Sequence, residues 1–218
     1  MKILALEFSS SQRSVAVADG DGAMIEVVET SVRETHAFGM IDSALREAGL
    51  EREQIECIVV GLGPGSYHGI RVALSIAQGW QLARGIKLIG ISSVETIAVQ
   101  AQTEKIFGRV TAVIDAQRNE LYFATFEITA SERKEIEPLR IVSREAISST
   151  ARGDARPTIF VGPDLTRWFP SGKIIFPRAA TLAGLAANRS DFVVGEKLEP
   201  IYLRETNFVK APPSRIIG

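Results

Sequence analysis

Three short stretches of this chain bring chemically capable side chains to the ends of apolar runs. Glu7 closes the run "ILALE" and is followed by Ser9 within "FSSS"; Asp115 closes a later run before "AQRNE". Oxygen ligands suit a hard cation, so acids at strand ends facing a cleft are what a magnesium–nucleotide site needs. Spacing alone favours the plainer role of turn or cap acceptor for each. The third stretch, "GLGPGSYHGIR", carries Ser66 and His68. A nucleophile elbow requires G-x-S-x-G, but Pro64 and His68 occupy the flanking sites, and two residues this close in a turn rarely reach usable geometry. The loop lacks the lysine of a P-loop, with Arg71 only beyond its last glycine, and Ser66 stands where a dinucleotide fingerprint has its third glycine. What survives is a stiff turn in which Ser66 caps the next helix, with Gly63, Gly65 and Ser66 as a candidate anion-binding backbone at the helix start.

Metal and thiol chemistry find little material. There are two histidines, His36 and His68, and one cysteine, Cys57, so no site of His and Cys ligands can be completed. Cys57 lies inside "IECIVVGL", where a buried inert thiol is expected. The 25 Lys and Arg balance 26 Asp and Glu for a net charge of -1, without a long run of one sign, which argues against direct electrostatic binding of nucleic acid. An apolar fraction of 45% with 23% charged residues fits a folded soluble protein. Glu7 interrupts any leader-like segment and no stretch is long enough to span a membrane, so a cytoplasmic location is expected.

The elements that must position these residues follow from periodicity. "KILALEF", "RSVAVADG" and "AMIEVVET" read as a three-strand meander, and the apolar spacing from Ala37 to Ala48 reads as an amphipathic helix ended by Gly49. "IECIVVGL" is a buried strand, "RVALSIAQGWQLAR" a helix, "IKLIGI" a strand and "SVETIAVQAQ" a helix. Beyond Thr103 the grammar restarts: "RVTAVIDAQ", "ELYFATFEI" and "EIEPLRIV" as strands, "SREAISSTA" as a short helix, "TIFVGPDL", and a helix around "RAATLAGLAANRS". The chain is therefore expected to be α/β with two related lobes of mixed sheet, the second reduced. The boundary falls between Ala101 and Gly108, giving residues 1–102 and 103–218, with the last residues returning to the first lobe.

Taken in order, "ILALEFSSSQRSVAVAD", "GLGPGSYHGIRVALSIAQGWQLARGIKLIGISSVETIA", "IDAQRNELYFATFE" and "PIYLR" resemble the bacterial TsaB (YeaZ) family. The resemblance implies the two-lobed ASKHA fold of actin and Hsp70. It also implies a role beside TsaD, with the ATPase TsaE, in making threonylcarbamoyladenosine in tRNA. In TsaD an H-x-x-x-H pair within "HHMEGH" binds the metal; the matching positions here are Ser93 and Ile97, which supply no imidazole. Glu7 replaces the family's usual Asp, so Glu7, Ser9 and Asp115 are expected to be a vestigial nucleotide site. The implied protein is a non-catalytic partner with no cofactor or metal of its own, ATP and metal being used by partner subunits. It would pair with a TsaD-like protein, or with itself when alone, join a TsaE-like ATPase, and meet tRNA only indirectly. The family pairs through the first two helices of the amino lobe. Met40, Ile41, Ala44, Leu45 and Ala48 on the first and Ile70, Ala73, Ala77 and Trp80 on the second are accordingly expected at the partner interface, the second helix being apolar on more than one face. The rival expectation is an ASKHA-type ATPase or phosphotransferase using Glu7 and Asp115.

Overall fold

A computed structural model describes residues 1–30, 36–143 and 157–203. Strands β1 (Ile3–Glu7), β2 (Gln12–Ala18), β3 (Met24–Thr30), β4 (Cys57–Gly61) and β5 (Lys87–Ile91) form one sheet in the order β3-β2-β1-β4-β5. Strands β6 (Gly108–Gln117), β7 (Glu120–Ile128), β8 (Arg133–Ser143), β9 (Ile159–Gly162) and β10 (Lys173–Ile174) form a second in the order β10-β9-β6-β7-β8. In each, the first strand pairs antiparallel with the second and parallel with the fourth. The two sheets therefore repeat one topology, the duplicated mixed sheet of the ASKHA fold.

Alternation along the strands assigns each face its cover. In β1, Leu4 and Leu6 face helices α1 (Ala37–Glu47) and α2 (Tyr67–Arg84), while Ile3 and Ala5 face helix α4 (Ala179–Ala186) on the other side. β4 divides likewise, Ile58 and Val60 against Cys57 and Val59. The central strands β1 and β4 are thus buried on both faces, which is why both are apolar apart from Glu7. Helix α3 (Ser93–Thr103) lays Val94, Ile97, Ala98 and Ala101 on the second sheet, whose opposite face carries, among the described residues, a small cluster around Phe123, Phe160, Leu165 and Phe169.

Sequence and space part company at these helices. α3 lies before the expected boundary at 102/103 yet belongs to the second core; α4 lies after it and belongs to the first. Polar contacts fix α4 there: Ser14 Oγ accepts from Ala179 N at 2.8 Å, and Glu26 accepts from Ala180 N at 3.1 Å while pairing with Arg178. Residues 193–203 also return to the first sheet, with Val193 bridging Leu88, Leu198 entering its core and Ile201 N donating to Leu62 O at 2.9 Å. Helix α2 starts at Tyr67, four residues before the apolar periodicity does. The strand pair β9–β10 extends beyond what "TIFVGPDL" announces, and the helix expected over "SREAISSTA" lies outside the described residues.

Candidate functional site: the exposed face of the first two helices

The glycine loop is built for backbone contact. Gly65 (φ +148) and Gly69 leave no room for a side chain: a Cβ at either would lie 2.0 Å from the carbonyl oxygen of Ser9 or Phe8. Glycine here allows the loop to lie on the β1–β2 turn. Three of its polar groups bond inside the chain. Ser66 N donates to Ser9 O at 2.7 Å, Ser66 Oγ accepts from Gly69 N at 3.3 Å, and Gly63 O accepts from Ser93 N at 2.8 Å. Ser66 therefore joins the loop to the β1–β2 turn and caps α2, the role the sequence assigns it. Ser66 and His68 share no hydrogen bond, and His68 instead borders a groove on the outer side of α2.

Glu7 is fully buried rather than open to a cleft. Its carboxylate accepts from Ser9 N at 2.8 Å and Ser93 Oγ at 3.1 Å, and Gly61 is bare because a Cβ there would lie 2.1 Å from Glu7 Oε2. Burial pushes the Glu7 carboxyl above its ordinary range, with the bonds from Ser9 and Ser93 opposing that rise. Asp115 accepts from Gln117 N at 2.7 Å at its own turn, and no contact joins it to Glu7. Each acid thus accepts from the backbone two residues on, and Glu7 also ties α3 to β1 through Ser93. Ser9 is buried beside Glu7, and Ser93, at one of the two positions where TsaD has histidine, donates to that carboxylate. Among the described residues, no three of His, Cys, Asp and Glu come together. No described helix is long and apolar enough to cross a membrane.

The two helices do present an apolar surface, but of the expected residues Trp80 alone lines it. Met40, Ile41, Ala44, Leu45, Ile70, Ala73 and Ala77 are all buried in the first lobe's own core. They cannot meet a partner, because the sheet already covers the stripe that periodicity picked out. Ala48 and Trp80 are half-buried at its edge. The free face lies beside that stripe: Ala37, Phe38, His68, Arg71, Val72, Ser75, Ile76, Gly79 and Trp80 line an open groove of about 620 Å³. Phe38 and Tyr67 are each 59% exposed, and Leu82, one turn beyond Gly79, is 92% exposed.

Two glycines on this pair have no explanation among the described residues. A Cβ at Gly79 would meet nothing within 4 Å, and one at Gly39 only His36 Cβ at 3.9 Å. Interior helical glycine costs roughly 0.5–1 kcal/mol relative to alanine. An exposed glycine bearing that cost with open space above it is what a closely approaching second backbone requires. The sequence signal was available in "SIAQGW", where Ser75 and Gly79 are one helical turn apart, but the buried Ala73 and Ala77 beside them carry the same small-residue pattern.

The whole chain is similar to known proteins. Residues 10–204 match the family model described as TsaD: tRNA N6-adenosine threonylcarbamoyltransferase. The tRNA threonylcarbamoyladenosine biosynthesis protein TsaB of Escherichia coli (strain K12) is 28% identical over 233 residues, spanning 99% of this chain and all of that one. The Haemophilus influenzae protein of the same name is 34% identical over 125 residues, 57% of this chain and 53% of its own. The solved structure of YeaZ from Pseudomonas aeruginosa superposes with a TM-score of 0.79 at 26% identity, covering 93% of this chain and 99% of that one. With the repeated sheet, the exchanged helices and these matches together, the chain belongs to the TsaB (YeaZ) family within the wider TsaD family.

Proposed function

We propose that this protein serves the biosynthesis of threonylcarbamoyladenosine in tRNA as a non-catalytic scaffold, pairing through the exposed α1/α2 face with a TsaD-like catalytic subunit. The observation that carries the reading is that face, where exposed Phe38 and Leu82 flank Gly39, Ser75 and Gly79. Apolar side chains left in water at the rim of a groove mark an interaction surface, and burying a leucine contributes about 1.5–3 kcal/mol. Small residues between them let helix axes approach closely.

The buried Glu7, its bond from Ser93, and the position of Asp115 support a protein without metal or nucleotide chemistry of its own. ATP and metal are assigned to partners: the TsaD-like subunit and a TsaE-like ATPase that joins the pair. Without its partner the chain forms a homodimer through the same face, and tRNA is reached through the complex. The test is co-elution of the purified chain with the TsaD-type protein of the same genome at micromolar concentration, repeated with Gly79→Arg. Arginine at an open, exposed position leaves the fold standing, so a wild-type complex that Gly79→Arg lowers by about 100-fold or more is expected. Equal association of both forms places pairing elsewhere. Turnover of ATP by the isolated chain that Glu7→Ala removes would favour an ATPase instead.

A further inference from the structure

At the start of α2, Tyr67, Arg71 and Tyr202 form an exposed cluster that no role in folding exhausts. Tyr67 and Tyr202 stack with ring centroids 5.6 Å apart at 24°, and the Arg71 guanidinium carbon lies 4.3 Å from the Tyr67 ring centroid. Arg71 Nε donates to the Tyr202 hydroxyl at 3.2 Å. Nε of the guanidinium is thereby engaged and the group held beside a ring, while its two terminal nitrogens have no partner among the described residues. Arg71 and His68 also line the groove, so the cluster is continuous with its mouth.

We propose that Arg71 is a preorganised receptor for a carboxylate of the protein that docks on the α1/α2 face, with Tyr67 and Tyr202 as its supports. A guanidinium presents a rigid fork that matches a carboxylate, and holding it in advance removes the ordering cost that makes ordinary surface pairs weak. Tyrosine and arginine are the residue types that anchor interfaces. A nucleic-acid ligand fits less well: the net charge is -1, and the Tyr67 ring that would stack a base is already engaged by Tyr202 and Arg71.

The inference rests on pairing through this face, so Gly79→Arg is measured alongside it. Affinity for the TsaD-type protein of the same genome is titrated calorimetrically at low and high salt with Arg71→Ala, Arg71→Lys and Tyr202→Phe. Arg71→Ala is expected to weaken pairing about 10-fold or more and to flatten its salt dependence. Arg71→Lys restores little, since the point charge lacks the fork, and Tyr202→Phe gives a smaller loss because the stack remains; the thermal midpoint is unchanged in all three. If Gly79→Arg abolishes pairing while Arg71→Ala leaves affinity and salt dependence intact, the cluster is only an internal clasp and the proposal is overturned. Arg71→Ala weakening binding of a tRNA transcript while pairing stays unaltered would overturn it too. If Gly79→Arg itself has no effect, the pairing face is wrong, a failure separate from that of Arg71.

Discussion

Glu7 shows how one side chain can look catalytic in sequence and be structural in space. A carboxylate ending a strand before a serine run has the order expected of a nucleotide-site acid, yet it is sealed under Gly61 and bonded by Ser9 and Ser93. Its raised pKa makes a signed prediction. The folded chain holds the proton to higher pH than the unfolded chain, so Glu7 lowers stability progressively as pH rises from the ordinary carboxylate range through the raised value, and no further above it. Melting curves across that window should show the native chain losing stability with rising pH relative to Glu7→Gln, whose amide does not titrate; parallel curves would mean the burial is not felt. Gly61→Ala drives a methyl into the same carboxylate and should cost roughly 1–3 kcal/mol by thermal or denaturant unfolding. The spacing of Glu7 and Asp115 along the chain was legible, but their burial and separation were not, because nothing in either motif says which backbone N–H each carboxylate accepts from.

Helix α2 carries most of the story at the level of elements. Its existence, its cap at Ser66 and its end at Gly85 follow from local chemistry, and its start was missed because "SYHG" shows no apolar period. The stripe that periodicity picks out is buried for a physical reason: the largest apolar stripe of a surface helix is normally the one its own sheet covers. What remains for a partner is the weaker signal beside it, a small-residue row with exposed Phe38 and Leu82 at its flanks. Gly79→Ala separates the two roles of that row. In the isolated chain it should stabilise by about 0.5–1 kcal/mol, since the new methyl meets only solvent. In the pairing assay it should weaken association, because the methyl stands where another backbone approaches. A variant that melts higher and pairs as well as the native chain would remove the glycine argument.

On the scale of the whole molecule, the repeat of strands was readable from the restart near residue 109, whereas the exchange of helices was not. Lobe membership of α3 and α4 depends on which sheet face each meets, and an apolar helical stripe carries no address. The exchange predicts that a fragment of residues 1–107 does not fold alone: without α4 it bares Ile3, Ala5, Val59, Ile89 and Ile91, and its α3 has no second sheet to cover. Aggregation or loss of a cooperative melt is the expected result, and a soluble, cooperatively folded fragment would refute it. The central claim is that this chain contributes a surface and no chemistry. It is tested most directly by forming threonylcarbamoyladenosine in a tRNA transcript with the TsaD-type protein, the TsaE-type ATPase and a supply of the threonylcarbamoyl donor. Product is predicted with the native chain and with Glu7→Gln, and not with Gly79→Arg or with the chain omitted; product with Gly79→Arg, or its loss with a folded Glu7→Gln, would contradict the account.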